Sequence, residues 1–224
     1  ERKEAETKEV LEKNTRAANA ESNKDAAERE DNDKEDEEGT NLGNILKNNP
    51  GNKPLDKSIF NSVTLEQTGK EPVSLTDDNA DVTDLQDFEL VYKWDSKTLL
   101  EKLNPQEIKK NDYYTFKIFG SEFKGEKGKD DNGEIKTPDG DVYAKWTLEE
   151  VSATSDEQAH QKVTIKFVNE MLNNTNVNFD MRISQTYTGP YPVKFEFNDN
   201  ASIEVDPIKT EDLLNKEDVV LHWK

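Results

Sequence analysis

From residue 88 onward, large apolar residues recur at every second position. Phe88, Leu90, Tyr92 and Trp94 alternate with Glu89, Val91 and Lys93, and Tyr114, Phe116 and Ile118 alternate with Thr115 and Lys117. Val142, Ala144, Trp146 and Leu148 follow the same rule, as do Val163, Ile165 and Phe167. So do Val177, Phe179, Met181 and Ile183, then Val193, Phe195 and Phe197, with Ile203 and Val205 flanking Glu204. Such alternation sends one side of an extended segment into a core and the other into water, so each run predicts a half-buried β-strand. Residues 63–65 and 73–75 predict two shorter strands. Asp131-Asn132-Gly133, Pro138-Asp139-Gly140 and Gly189-Pro190 supply turn chemistry between the runs. One helix is expected over 98–103, ended by Pro105. Seven to nine strands in this arrangement predict an all-β, antiparallel β-sandwich, with a barrel as the alternative.

The first quarter of the chain reads differently. Residues 1–40 contain 15 acidic and 8 basic residues and no aromatic; the first aromatic of the chain is Phe60. Val10 and Leu11 are the only large aliphatics there. A helix built from this segment has no apolar stripe to bury, and there are no repeated a/d positions for a coiled coil. It is expected to be disordered or transiently helical, ending in the dense charge block 28–38. Asn48-Asn49-Pro50-Gly51 and Lys53-Pro54 then read as linker. The expected organisation is an acidic, low-aromatic segment over 1–58 and a sandwich over 59–208. Residues 209–224 form either an added edge strand or the start of a following domain. The last stretch holds Leu213, Leu214, Val219, Val220, Leu221 and Trp223, too apolar for a free tail, and 219–223 reads as a short strand needing a partner.

Composition narrows the function classes. Thirty Lys and Arg stand against 49 Asp and Glu, a net charge of −19 in 224 residues. Phosphate contacts and anionic lipid both call for a basic surface, so neither a nucleic-acid binder nor a membrane-surface protein is expected. No run reaches the roughly 20 apolar residues of a membrane span. With no cysteine, disulfide scaffolds, zinc–thiolate sites and thiol catalysis are excluded. The chain begins at Glu1, which reads as a processed product or excised fragment.

Little in the chain points to catalysis. His160 and His222 lack a second histidine at helical ligand spacing and read as exposed loop or edge residues. No Gly-rich phosphate loop or Gly-x-Ser-x-Gly elbow occurs, and among 49 carboxylates a chance pair carries no information. No enzyme activity, catalytic residue, cofactor or metal ligand is assigned. Two acidic clusters, Asp77-Asp78-Asn79-Ala80-Asp81 continuing to Asp84 and Asp130-Asp131-Asn132-Gly133-Glu134, lack the ligand and glycine spacing of an EF-hand. They read as turns, with a loop-built calcium site as the alternative. The candidate recognition element is Tyr187-Thr188-Gly189-Pro190-Tyr191-Pro192. Its two tyrosines, Tyr187 and Tyr191, offer amphipathic contact area with few rotors to freeze. The alternative is that they pack on the sandwich edge.

Several segments carry a family resemblance. Asp81-Val82-Thr83-Asp84-Leu85 leads into the 88–94 strand, and Ile108-Lys-Lys-Asn-Asp112 leads into Tyr113–Phe116, with Asn111 where the family usually has Gly. Val163-Thr-Ile-Lys-Phe167 and Asn176-Val177-Asn178-Phe179, preceded by Pro138-Asp-Gly-Asp-Val-Tyr-Ala144, complete the pattern over about residues 60–207. Together they resemble the immunoglobulin-like adhesin domains of Gram-positive cell-wall-anchored surface proteins, of the collagen adhesin and clumping factor type. The resemblance implies an immunoglobulin-like sandwich, export to the cell-wall surface and an extracellular protein or glycan ligand. It also implies a possible second immunoglobulin-like domain beyond residue 224. A structural stalk or pilin-like role is the alternative. Such stalks often carry a Lys–Asn isopeptide bond, for which Lys117, Lys145 and Lys166 are candidates, although their alternation places them on the solvent face.

Overall fold

The computed structural model describes residues 38–76 and 80–214. Eleven strands form two antiparallel sheets among these residues. In chain order they are β1 (Ser62–Glu66), β2 (Val73–Ser74), β3 (Asp87–Asp95), β4 (Tyr113–Phe119), β5 (Ser121–Phe123) and β6 (Asn132–Lys136). Then come β7 (Val142–Val151), β8 (His160–Phe167), β9 (Asn178–Tyr187), β10 (Val193–Asn198) and β11 (Ala201–Val205). One sheet has the order β2-β1-β3-β9-β5 and the other β11-β10-β4-β8-β7-β6. Every run of alternation noted in the sequence is a strand with the expected phase.

The inward residues meet as one core. β3 and β9 pair along their full length, from Asp87 opposite Thr186 to Asp95 opposite Asn178. This register puts Phe88, Leu90, Tyr92 and Trp94 on the same side as Phe179, Met181 and Ile183. From the other sheet come Tyr114, Phe116, Ile118, Trp146, Ile165, Phe167, Phe195 and Phe197, all buried. Phe60 joins the layers, its ring 4.8 Å from Tyr92 and 5.2 Å from Phe116, edge-on to the latter. Trp94 lies 4.3 Å from Phe179 and 5.9 Å from Phe167. Offset and edge-to-face contacts of this kind add to the gain from area burial.

A buried polar contact ties the sheets where the aromatics thin out. Gln161 of β8 and Gln185 of β9 exchange amide hydrogen bonds of 2.7 and 2.8 Å, one in each direction. The Gln161 amide also donates to the Ser121 carbonyl, and the Ser121 hydroxyl donates to Gln185 Oε1. Both amides are thus satisfied although almost fully buried, as a dry polar pair requires.

The linker expected over 41–58 is packed instead, so the folded body starts earlier than residue 59. A short helix, α1 (Leu42–Leu46), buries Leu42 and Leu46, and a 3-10 turn, Pro54–Lys57, buries Leu55 in the same core. Asn41 caps α1 by accepting the Gly43 N–H, and the Asn198 amide donates to the carbonyls of Gly43 and Lys57. The expected helix is α2 (Ser96–Leu103), which buries Leu99, Leu100 and Leu103. Asp95 caps it, accepting the Thr98 N–H at 2.7 Å. Burial works against the Asp95 carboxylate, but the bonds from Thr98 and Asn61, with the charge of Lys97, hold its pKa below the ordinary value. The Lys102 ammonium of α2 donates to the carbonyls of Leu55, Ser58 and Phe60 at 3.0–3.1 Å. That clamp seats Phe60 between the sheets. The turn signals at 50 and 54 are real, but three leucines and these polar contacts outweigh them.

Other expectations shift in detail. The turn assigned to 131–133 lies at 126–130, and Asn132-Gly133 opens β6. Gly133 faces Trp146 so closely that a Cβ would lie 2.6 Å from the indole nitrogen. Strands β5 and β6 were not expected, since each has at most one fully buried apolar side chain. His160 is buried rather than exposed, its ring 5.0 Å from that of Phe119. Residues 210–214 are helical, and the 219–223 strand lies outside the described residues, as do His222 and the segment 1–37.

Two substitutions test this packing. Phe167→Ala should cost about 3–5 kcal/mol in urea unfolding, as large aromatic truncations in cores do. Lys102→Met keeps the stem and removes the three ammonium bonds. A loss of about 2–3 kcal/mol is expected, because three carbonyls lose a charged donor; an unchanged urea midpoint would show that water replaces the clamp.

Candidate functional site

One end of the sandwich gathers the exposed apolar side chains. Five large hydrophobic residues are exposed among the described ones: Leu172, Tyr191, Ile208, Leu213 and Leu214. All but Leu172 lie on two segments, the loop after β9 and the chain after β11. A groove of about 980 Å³ runs between these segments and the stretch 84–86.

The loop 188–192 is built on Tyr187. This tyrosine closes β9, where its N–H donates to the Gln86 carbonyl at 2.8 Å. Its side chain is partly buried against the core, and its hydroxyl donates to the Tyr191 carbonyl at 2.8 Å. Desolvation, then the charge of Asp206, raises the pKa of that hydroxyl and keeps it a donor. Gly189 sits over the ring with φ +46°, a conformation few other residues adopt, and its peptide bond to Pro190 is cis. A Cβ at 189 would stand 3.3–3.5 Å from the tyrosine ring. The result separates the two tyrosines. Tyr187 is the post over which the loop folds, and Tyr191 is held outward, 75 % exposed.

The opposite wall is a short backbone ladder. Thr83 and Ile208 form a parallel bridge, in which the Asp84 N–H donates to the Ile208 carbonyl and the Ile208 N–H to Val82. Asp84, at φ +47°, turns its carboxylate to Thr210, accepting its N–H at 3.0 Å and its hydroxyl. These bonds hold the start of the 210–214 helical turn against the domain. The hydroxyl bond, then the N–H bond, keeps the Asp84 carboxyl below its ordinary pKa, outweighing desolvation, with Lys70 adding a smaller pull. Leu213 and Leu214 follow on the same turn. Sequence reasoning marked the two leucines as too apolar for a free tail. Neither Asp84 nor Ile208 carries a local signal of pairing, since the partners lie over 120 residues apart.

The remaining sequence candidates serve the scaffold. Asp130 and Asp131 accept backbone N–H bonds from Glu126 at 2.8 Å and Gly128 at 3.0 Å, the turn role expected of them. Residues 77–79 of the other acidic cluster lie outside the described set. Lys145 and Lys166 are exposed on the outer face of their sheet, and Lys117 is ion-paired to Glu157 at 2.6 Å, so none of the three enters the core. A smaller cleft of about 370 Å³ lies beside Asn61, Lys93 and Asp180, but its Asp95 is taken up in capping α2. Among the described residues no helix is long and apolar enough to cross a membrane.

Comparison with known families gives one match. Residues 81–188 fit the family model of a bacterial Ig domain, a span that runs from the groove wall through β3–β9 into the Tyr187 loop. The match supports a bacterial immunoglobulin-like domain, and the two-sheet architecture agrees with it. Strands β1 and β2 extend one sheet beyond the matched span, and β10 and β11 extend the other. No curated protein and no solved structure matches the chain.

The Asp84–Thr210 contact makes the groove wall pH-sensitive. Its contribution is complete above the ordinary carboxyl value of 3.8 and is lost as the pH falls through the lower folded-state value. The Thr210 amide resonance should therefore titrate below that value, and Asp84→Asn should abolish the titration. A Thr210 amide that does not titrate in the parent protein would show that the contact is not formed in solution.

Proposed function

We propose that this chain is a module of a bacterial surface adhesin, of the Gram-positive cell-wall type, that binds a host matrix protein or another extracellular macromolecule. The observation that carries this reading is the groove end of the sandwich. Exposed Ile208 lines a groove of about 980 Å³, and exposed Tyr191, Leu213 and Leu214 follow directly on the two segments that wall it. Exposed apolar side chains gathered on neighbouring segments are characteristic of contact sites on protein surfaces. Tyr191 is presented as a rigid amphipathic anchor, since Tyr187 and the Gly189-Pro190 turn fix the loop before any ligand arrives. Asp84, Lys209, Glu211 and Asp212 line the same groove together with Leu85, Pro190 and Ile208, a mixture of charged and apolar groups such as recognition surfaces carry. Tyr191 and Ile208 make the contact in this reading, with Tyr187 acting through the loop it supports. The fold by itself does not assign the ligand.

The test is a binding panel of immobilised collagen, fibrinogen and fibronectin, using the full chain and a Tyr191→Ser/Ile208→Ser variant. Binding to at least one matrix protein is expected, weakened by about tenfold or more in the variant, in line with loss of two anchors at a contact centre. Circular dichroism and the melting temperature should be unchanged, because both residues are exposed. Absence of binding to the whole panel, or equal binding by the variant, would overturn the assignment.

A further inference from the structure

The six-stranded sheet has an outer face that takes no part in the core. On β4, Tyr113, Thr115 and Lys117 alternate with buried residues; on β8, Lys162, Thr164 and Lys166 do so; on β7, Lys145, Thr147 and Glu149. Strand register arranges them in three rows. Lys117 stands opposite Lys162, which stands opposite Glu149; Thr115 opposite Thr164, opposite Thr147; Tyr113 opposite Lys166, opposite Lys145. Four lysines therefore frame three threonines on one flat surface. Strands lie about 4.8 Å apart and residues rise about 3.4 Å each, so the two lysine rows run about 14 Å apart along β8.

The arrangement is unfavourable for the protein alone. Lys117–Lys162 and Lys145–Lys166 are directly opposed like charges, which destabilise a sheet. Lys117 is relieved by Glu157 at 2.6 Å, but Lys145, Lys162 and Lys166 form no ion pair among the described residues. Of the bordering carboxylates, Glu134 stands opposite Lys145 and is paired with Lys136 at 2.9 Å. Glu149 faces Lys162 across the strands without closing to an ion pair, and half-buried Glu196 stands opposite Lys117. Within the three rows the chain thus sets four lysines against one carboxylate, Glu149, although its net charge is −19. At physiological salt, charges farther off than about 8 Å are screened, so the local patch decides what can settle on it.

The chemistry of the face selects its occupant. It offers no exposed large apolar side chain, so a folded protein would find no anchor there. Its ammonium groups act as point charges for sulfate or carboxylate, and its threonine hydroxyls both donate and accept hydrogen bonds. An extended chain bearing hydroxyls and repeated anionic groups matches both. We infer that the outer face of the six-stranded sheet binds an anionic polysaccharide, independently of the groove at Tyr191.

The probe is a heparin octasaccharide titrated into the full chain by calorimetry at 0.1 M salt. Saturable binding that weakens as salt rises is expected. Lys145→Gln/Lys166→Gln should lower affinity by about tenfold or more, as loss of two charge contacts to a polyanion does. The same variant should melt no lower than the parent, since a like-charged pair has been removed. Lys70→Gln/Lys93→Gln, in the β1–β2 turn and on β3, and Tyr191→Ser should leave heparin binding unchanged. Absence of binding, or equal affinity in the Lys145/Lys166 variant, would overturn the inference. Equal affinity for single-stranded DNA of matching charge would also overturn it, because the face would then read charge alone.

Discussion

Phe60 sits between two sheets that no disulfide bridges. Its ring touches Tyr92 on β3 and Phe116 on β4, and the chain has no cysteine with which to bridge the layers. Among the described residues, cohesion across the sandwich therefore rests on apolar burial and on the polar cluster of Gln161 with Gln185 and Ser121. Phe60 belongs to neither sheet. It is held by the Lys102 clamp, which grips the backbone at Leu55, Ser58 and Phe60 from α2. A segment before the first strand, a helix between β3 and β4 and the core aromatics are thus one cooperative unit.

The same ladder that sets the core also positions the groove. β3 and β9 pair without interruption, so the point at which β9 ends is fixed by the packing of Phe88, Met181 and Ile183 along the ladder. Tyr187 lies at that end, paired through Gln86, and the loop folds on it. Across the groove, the chain leaving β11 is returned to the domain by the Thr83–Ile208 bridge and the Asp84 carboxylate. The exposed apolar residues are therefore on backbone that is already paired. A ligand would have less ordering entropy to overcome there than on a free loop.

Charge is distributed less evenly than composition suggests. Surface ion pairs such as Lys124–Asp87 and Arg182 with Glu66 and Glu89 neutralise much of the five-stranded sheet's outer face. On the six-stranded sheet the lysines of β8 lie beside those of β4 and β7 rather than opposite carboxylates alone. A net value of −19 excludes a generally basic protein but says nothing about a single face, because strand register decides which charges become neighbours.

Strand phase was legible from the chain because a period of two is a local property. Trp94, Phe116, Trp146, Phe167, Phe179 and Phe197 all point inward as the alternation requires. The helix before Pro105 was legible for a similar reason, since its leucines and the following proline are adjacent. The 41–58 segment was not, because the helical spacing of Leu42, Ile45 and Leu46 spans a single turn between Asn and Gly residues, and these residues and Leu55 join a core otherwise made of strands distant in sequence. β5 and β6 were missed because edge strands bury little and so show little alternation. His160 looked exposed among polar neighbours, and only the packing of Phe119 against it decided otherwise. At the groove, the sequence marked Tyr187 and Tyr191 but could not tell post from anchor. That division comes from one hydrogen bond and one positive-φ glycine. Local periodicity determined which side of each strand is apolar. Which strands are neighbours, and hence which segments wall the groove and which lysines stand together, was decided by contacts between residues far apart in the chain.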